Sequence, residues 1–366
     1  MRFNCNGLTL AEAVLKVSKA CAVRTTAPVM ECIKITASGE GISLLATDGE
    51  LSIERKFDAE VLEEGAVCVP GKLFSDFISK LSGEEIDVST GEKGVSIAYR
   101  DSKSYMQAIP AEEFPSINLE AGENSFVIGQ NAFKEIVAET VFCCASDDSR
   151  PILKGCLMEL KDTLKMTALD GYRLAFSETS ILSKSGEKNL ICPARTLNEI
   201  SKMLAGEEDG EVTLYEEGGQ LLVKSEGTTI VSSLYRGDFI KRENVVPTRF
   251  STYVTVDKGE LSASVERAAI LIRGDKNNLV TLEISSEKVK VSSVSEYGTV
   301  AETVNAETDG VDLTISMNAK YLLEALRALK EERVTISFSG AISPFILQNQ
   351  EKKDSLYLIL PVKNAS

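Results

Sequence analysis

The chain has 366 residues, 43% hydrophobic and 26% charged, with 40 basic against 55 acidic residues for a net charge of -15; because one core stops growing near ~250–300 residues, two or three globular domains are expected. There is no histidine and, among eight cysteines, no Cys-x-x-Cys pair, so the commonest metal ligand and the usual general base are missing and no metal, cofactor or catalytic residue is expected. No stretch approaches the ~18 apolar residues of a membrane span, and Met1–Gly7 lacks an apolar signal core, so a cytoplasmic chain without membrane contact is expected.

In chain order, Leu10, Val14, Val17 and Cys21 fall at helical spacing with Glu12, Lys16 and Lys19 opposite, predicting an amphipathic helix. Alternating strands at 32–36 and 42–45 run into the turn Ala46-Thr47-Asp48-Gly49. The segment from Gly65 to Lys72 resembles a phosphate loop only superficially: its glycine spacing is one residue too long, and Leu73 stands where a Ser or Thr would hold magnesium. A second helix over 72–81 places Lys72, Asp76 and Lys80 along one side and Leu73, Phe77 and Leu81 along the other, and Glu84-Glu85 precede the next strand. The polar stretch 120–124 marks a boundary.

The pattern then returns. A helix from Ala132 to Phe142 precedes Cys143-Cys144, which has no histidine to act as its base, and Asp147-Asp148, read as a solvated loop. The turn Ala168-Leu169-Asp170-Gly171 follows a strand, Cys192-Pro193 opens a helix with Arg195, Glu199 and Lys202, and Glu207-Glu208 follow it. After a second boundary at Pro247-Thr248 come a helix from Glu260 to Ile270, a weak echo of the turn at Glu296-Tyr297-Gly298, and a helix with Lys320, Glu324 and Arg327 opposite Leu322, Leu326 and Leu329. Glu331-Glu332 and the alternating strand 334–338 close the unit.

Pro70, Pro193 and Asn318, which open the second helix of each unit, lie 123 and 125 residues apart, and Gly49 and Gly171 lie 122 apart. Two markers in phase indicate a threefold repeat. Two helices among many antiparallel strands make each unit an α+β domain, with domains expected at 1–121, 122–248 and 249–366. The six helical windows hold 14 basic and 8 acidic residues, which leaves the remainder of the chain at -21. Such a split permits loose, sequence-blind contact with phosphates despite the acidic total.

The repeat, the paired helices and the charge split resemble the bacterial DNA polymerase III beta subunit family, the replicative sliding clamps. The resemblance spans essentially the whole chain. Its more specific pieces are the runs at 24–30 (Arg24 to Met30), 45–49, 109–115 (Ile109 to Pro115), 169–174 (Leu169 to Leu174), 267–271 (Arg267 to Leu271) and 360–363 (Leu360-Pro361-Val362-Lys363). It implies three clamp domains per chain, each with two helices on antiparallel sheets, and a head-to-tail homodimer that closes a six-domain ring around double-stranded DNA. It implies no catalytic site. The partners it implies are the replicative DNA polymerase and the clamp loader, together with translesion polymerases, mismatch-repair proteins and ligase.

By the same resemblance, Arg24, Lys72, Lys80, Arg150, Arg195, Lys202, Lys320 and Arg327 are carried over as DNA-facing residues that read no bases. Phe77, Leu81 and Met106 on one side, and Ile270 and Leu271 on the other, are the dimer-interface candidates, with core packing equally open to Phe77 and Leu81. A pocket for Gln-Leu-x-Leu-Phe-type peptides is carried over to Leu153, Leu169, Gly171, Tyr172, Arg173, Leu174, Val245, Pro344, Leu358, Leu360 and Pro361. For Arg173, an ion pair with a carboxylate is the other role open. Two departures stand out: Leu169 replaces a threonine, and the stretch from Gly237 to Pro247 lacks the proline and tyrosine of a Phe-Pro-Asp-Tyr-like core. The second leaves Ile240 without support as a pocket wall. The tail Asn364-Ala365-Ser366 is expected beside the pocket. The competing classes are a three-domain protein-binding scaffold that does not encircle DNA and, further off, a carboxylate hydrolase; basic helices recurring in every unit argue against the first, and carboxylates repeated in all three units argue against the second.

Overall fold

A computed structural model describes residues 1–91, 94–204, 210–272, 278–348 and 354–363. Glu207-Glu208, Arg273 and the tail 364–366 lie outside the described residues. Six α-helices are described: α1 (Gly7–Val17), α2 (Gly71–Ile78), α3 (Gln130–Thr140), α4 (Ala194–Met203), α5 (Lys258–Leu271) and α6 (Ala319–Ala328). The chain folds as two compact units, the first made of residues 1–131, 182–186 and 198–234, the second of 132–181, 187–197 and 235–366.

Sheet continuity explains why a threefold repeat gives two units. In the first, a ten-stranded sheet runs without a break from strands of the first repeat into strands of the second, where Leu51–Phe57 pairs antiparallel with Thr228–Ser233 in the register Ile53↔Ile230. In the second, a twelve-stranded sheet joins Arg173–Ser180 to Ser355–Ile359 in the register Leu174↔Leu358 and Phe176↔Leu356. The first unit also holds a five-stranded sheet whose outer strand is Ser102–Gln107.

The helices form where side-chain caps and apolar spacing agree. Asn6, Asp257 and Asn318 each accept a backbone N–H of the first turn of α1, α5 and α6, satisfying donors that would otherwise lack partners. α1 buries Leu10, Ala13, Val14 and Val17. α2 departs from expectation. Its packed side is Gly71, Phe74 and Ile78, continued by Leu81 beyond its end, whereas Leu73 is 62% exposed. The helix is shorter than the window 72–81 and begins a residue earlier, and its apolar stripe follows the i, i+4, i+7 spacing of Phe74, Ile78 and Leu81.

That shortening changes the charge picture. Within the six α-helices nine basic residues meet eight acidic ones. The excess seen in the sequence windows belongs to Arg24 in the loop after α1, to Arg273, and to Lys19, Lys80 and Lys330, each two residues beyond a helix C-terminus. Cations there complement the helix dipole, so part of the pattern is local helix physics.

The start of α1 is fitted to the segment after α2. Gly7 donates its N–H to the Glu84 carbonyl at 2.8 Å, and a Cβ on Gly7 would sit 2.0 Å from the Leu81 carbonyl oxygen. Backbone on both sides leaves no flexible atom to yield. Gly7→Ala is therefore expected to destabilise the first unit by about 1–3 kcal/mol in urea unfolding, while Gly129→Ala, which meets nothing within 4 Å, stays within about 0.5 kcal/mol of the parent. Equal transitions for the two variants would contradict the close approach.

Candidate nucleic-acid and peptide-binding sites

Of the basic residues singled out by sequence, Arg24, Lys72, Lys80 and Lys202 lie in the first unit and Arg150, Arg195, Lys320 and Arg327 in the second. All eight are exposed, and Lys202, Lys320 and Arg327 each expose more than half of the side chain. Arg24 lies in the loop after α1 and Lys80 beyond the end of α2, so neither is helical. Lys202 pairs with Glu199 at 2.8 Å, Lys320 with Glu324 at 3.9 Å and Arg327 with Glu266 at 2.9 Å. Exposed pairs of this kind contribute about 0–1 kcal/mol each, so a phosphate can replace the carboxylate at little cost. Arg150 has a second neighbour: its Nη1 lies 3.9 Å from where a Cβ on Gly171 would stand, which places it beside the Asp170-Gly171 turn.

That turn is built as the sequence signal implies. Gly171 has φ +92°, a conformation that costs L-residues but not glycine, and Asp170 Oδ1 accepts the N–H groups of Tyr172 at 2.9 Å and Arg173 at 3.1 Å. The first repeat does the same with Gly49 at φ +93° and Asp48 Oδ1 accepting from Glu50 and Leu51.

Beside the turn, Leu153, Leu169, Leu174 and Leu358 are gathered into one buried apolar cluster with Phe176, Ile346 and Leu356. Ala145, Ile152, Phe239, Ile240, Val246 and Phe250 pack against it half-buried. The four leucines are a closed floor, and the accessible apolar surface is supplied by the flanking residues and by exposed Tyr172 and Leu360. Leu360 donates its N–H to the Tyr172 carbonyl at 2.8 Å, bringing the two together. Gly171 is exposed on the turn, and Pro344 and Pro361 are half-buried at strand ends.

Three expectations change. Val245 is exposed and its neighbour Val246 packs on the cluster in its stead. Ile240, set aside because of the linker departure, does pack there. Arg173 takes the other role left open to it: 8% exposed, it pairs with Asp170 at 3.0 Å and with Glu324, donates to the Phe142 carbonyl at 2.7 Å, and lies over the Tyr321 ring at 4.5 Å. It ties the turn to α6. Phe176, Ile346 and Leu356 were missed, although strand alternation puts Phe176 on the face of Leu174 and makes it legible.

The interface candidates also separate. Leu81 is 7% exposed and belongs to the core, and Phe77 is half-buried with its ring edge-on to Tyr99 at 6.1 Å. Met106 is half-buried on the outer strand of the five-stranded sheet. In the second unit Ile270 is 68% exposed and Leu271 half-buried. Nearby, residues 298–305 of the strand Gly298–Gly310 pair on one side only among the described residues, with 288–295.

The environment offers little chemistry. Among the described residues no group of three or more His, Cys, Asp or Glu side chains could hold a metal ion, and no helix is long and apolar enough to cross a membrane. All eight cysteines are free, and burial pushes the Cys5, Cys21 and Cys68 thiols up to about 12, leaving them protonated and poorly nucleophilic at neutral pH.

Three families of DNA polymerase III beta subunit domains match the chain in order: the N-terminal domain at residues 1–119, the central domain at 127–241 and the C-terminal domain at 243–363. The chain is 31% identical over 357 residues to the beta sliding clamp of Staphylococcus epidermidis, with 94% of each chain covered. It is similar to the crystal structure of the Bacillus subtilis DNA polymerase sliding clamp, with TM-score 0.95 and 28% identity over 100% of this chain and 99% of that one. It is also similar to a Pseudomonas aeruginosa sliding clamp bound to griselimycin, with TM-score 0.94 and 27% identity over 99% of each.

Glu302, on the one-sided strand, receives Arg267 Nε at 2.6 Å and Ser264 Oγ at 2.8 Å. The Arg267 hydrogen bond, then that of Ser264, hold its carboxyl down at about 2, below the usual 4.5. A depressed carboxyl contributes stability fully above its unfolded value and loses it as pH falls toward the folded one. An NMR titration of Glu302 should therefore show a midpoint near 2, moving up in Arg267→Leu; an ordinary midpoint in the parent protein would contradict the geometry.

Proposed function

The chain belongs to the DNA polymerase III beta subunit family, the bacterial sliding clamps, and from that premise we propose how its residues serve a DNA sliding clamp. The observation that carries the function is the match of three beta-subunit domains in order over residues 1–363. The protein is a processivity factor whose partners are DNA, the replicative polymerase and the clamp loader. In our reading its domains divide at 1–121, 122–248 and 249–366. Two chains close head to tail into a ring, which acts in the cytoplasm at the nucleoid and has no chemistry of its own.

Ring closure in this reading uses two strand edges that lack partners among the described residues: Ser102–Gln107 and residues 298–305. Unpaired edges are templates for strand addition. Met106 and Phe77 on one chain meet Ile270 and Leu271 on the other, while Leu81 is withdrawn to the core. Each chain supplies one edge of each kind, so two junctions complete the ring.

Duplex DNA is then retained by topology, which relieves the contacts of any need to be strong. Arg24, Lys72, Lys80, Arg150, Arg195, Lys202, Lys320 and Arg327 supply weak phosphate contacts, three of them already in exchangeable carboxylate pairs. Weak, sequence-blind contacts let a ring slide. The apolar groove beside Tyr172 and Leu360 takes short hydrophobic peptides from the polymerase and the loader, and likewise from translesion polymerases, mismatch-repair proteins and ligase. The griselimycin-bound P. aeruginosa relative supports a groove that accepts ligands.

The deciding experiment loads the protein with a cognate loader on nicked circular DNA, washes at high salt and makes one linearising cut. Protein that survives salt on the circle and leaves after the cut is a ring on DNA. Salt-stable binding that ignores the cut means an ordinary binding site, and no retention with an active loader favours the scaffold. Reversing Lys72, Arg195 and Lys320 to Glu together is expected to shorten retention without altering unfolding; unchanged retention would remove them from the DNA path. Because Leu174 is buried, the groove is better tested with Tyr172→Ala plus Leu360→Ala, expected to weaken a polymerase tail peptide by at least about tenfold while the dimer persists.

A further inference from the structure

One charged group lies on the apolar cluster of the groove. Arg242, in the short turn Arg242–Asn244, sets its guanidinium over the Phe176 ring, 3.6 Å from the centroid. Phe176 is itself a buried member of the cluster, and Phe239, Ile240 and Val246 from the same linker pack around it. The side chain of Arg242 remains 29% exposed. Its ion-pair partner among the described residues is Glu243, 3.5 Å away and 71% exposed, a contact that water largely screens.

The result is a cation held in place by stacking at the rim of an apolar floor and only loosely compensated. A guanidinium face-on to a ring keeps its N–H edges free to donate in its own plane. The surroundings make this position selective. A chain of net charge -15 repels acidic peptides at long range, but salt screens that repulsion beyond ~8 Å, and Arg242 acts at contact. The residue falls in the linker that lacks the proline and tyrosine of the family pattern, between the matches to the central and C-terminal domains.

We propose that Arg242 is a specificity-determining residue that selects partner peptides carrying a carboxylate next to their hydrophobic anchors. The inference rests on the reading of the groove as a peptide site. Burial of the anchors against the cluster brings the peptide backbone to the rim, where an Asp or Glu side chain accepts from the Arg242 edge in a charge-assisted pair. Glu243, mostly in solvent, is displaced.

The test uses the full chain and fluorescein-labelled peptides with a Gln-Leu-Ser-Leu-Phe core, followed by anisotropy. A single Asp, or its isostere Asn, is walked through the Ser position and the two residues on either side of the core. At one or more positions the Asp peptide should bind about three- to fivefold more tightly than its Asn twin, with the ratio shrinking at high salt. Arg242→Met keeps a flexible apolar side chain over Phe176 and should bring that ratio to one, leaving the affinity for the Asn peptides as the check that the groove is intact. Equal binding of Asp and Asn peptides at every position, or a preference that persists in Arg242→Met, overturns the proposal. Failure of every peptide to bind the parent protein overturns the groove reading instead.

Discussion

Main-chain hydrogen bonding across repeat boundaries is the constraint on which the rest of this structure depends. Where Leu51–Phe57 pairs with Thr228–Ser233, and Arg173–Ser180 with Ser355–Ile359, units of the repeat are joined by ladders and not by flexible tethers. A one-residue slip would turn every side chain of a strand to the opposite face, so register at these seams is fixed by the buried alternation of residues such as Ile53, Ile230, Leu174 and Leu358. The apolar cluster is a by-product of the second seam: Leu174 and Leu358 face each other there because the two strands are neighbours. Arg173 reinforces the same junction from the other face, fixing the Asp170-Gly171 turn to α6 through Glu324 and Tyr321.

Much of this was legible in the residues. The Asp-Gly turns at 48–49 and 170–171 have matching Asx geometry, as their 122-residue spacing suggests, and the apolar face of α6 is the expected Leu322 and Leu326. Leucines placed in the pocket by resemblance do lie together. Sequence spacing misplaced the packed face of α2: Leu73, expected on it, is exposed, and Phe74 and Ile78 are buried there. It also could not say which of two valines, Val245 or Val246, turns inward, because that is decided by a short helical turn with no periodicity of its own. The stacking of Arg242 on Phe176 joins residues 66 positions apart in the chain, and no local pattern announces it.

The acidic total ceases to conflict with DNA binding once affinity and retention are separated. Helices that carry nine basic and eight acidic residues form no strong polycation, and several of the cations already have carboxylates within reach. Such a surface binds phosphate weakly and releases it readily. That is a defect in a protein that must hold DNA by contact, and an asset in one that holds it by enclosure.

The two one-sided strands have a further consequence for assembly. Ser102–Gln107 and residues 298–305 are different surfaces, so a contact between them has no built-in stoichiometry. Nothing local distinguishes a closed pair from an open polymer; only the accumulated angle along the chain does. In a ring closed through these two edges, as proposed, the seams that hold register would also be the parts that count subunits. A mutation that relaxed either ladder by a few degrees, with both edges untouched, would convert a terminating assembly into a helical fibre.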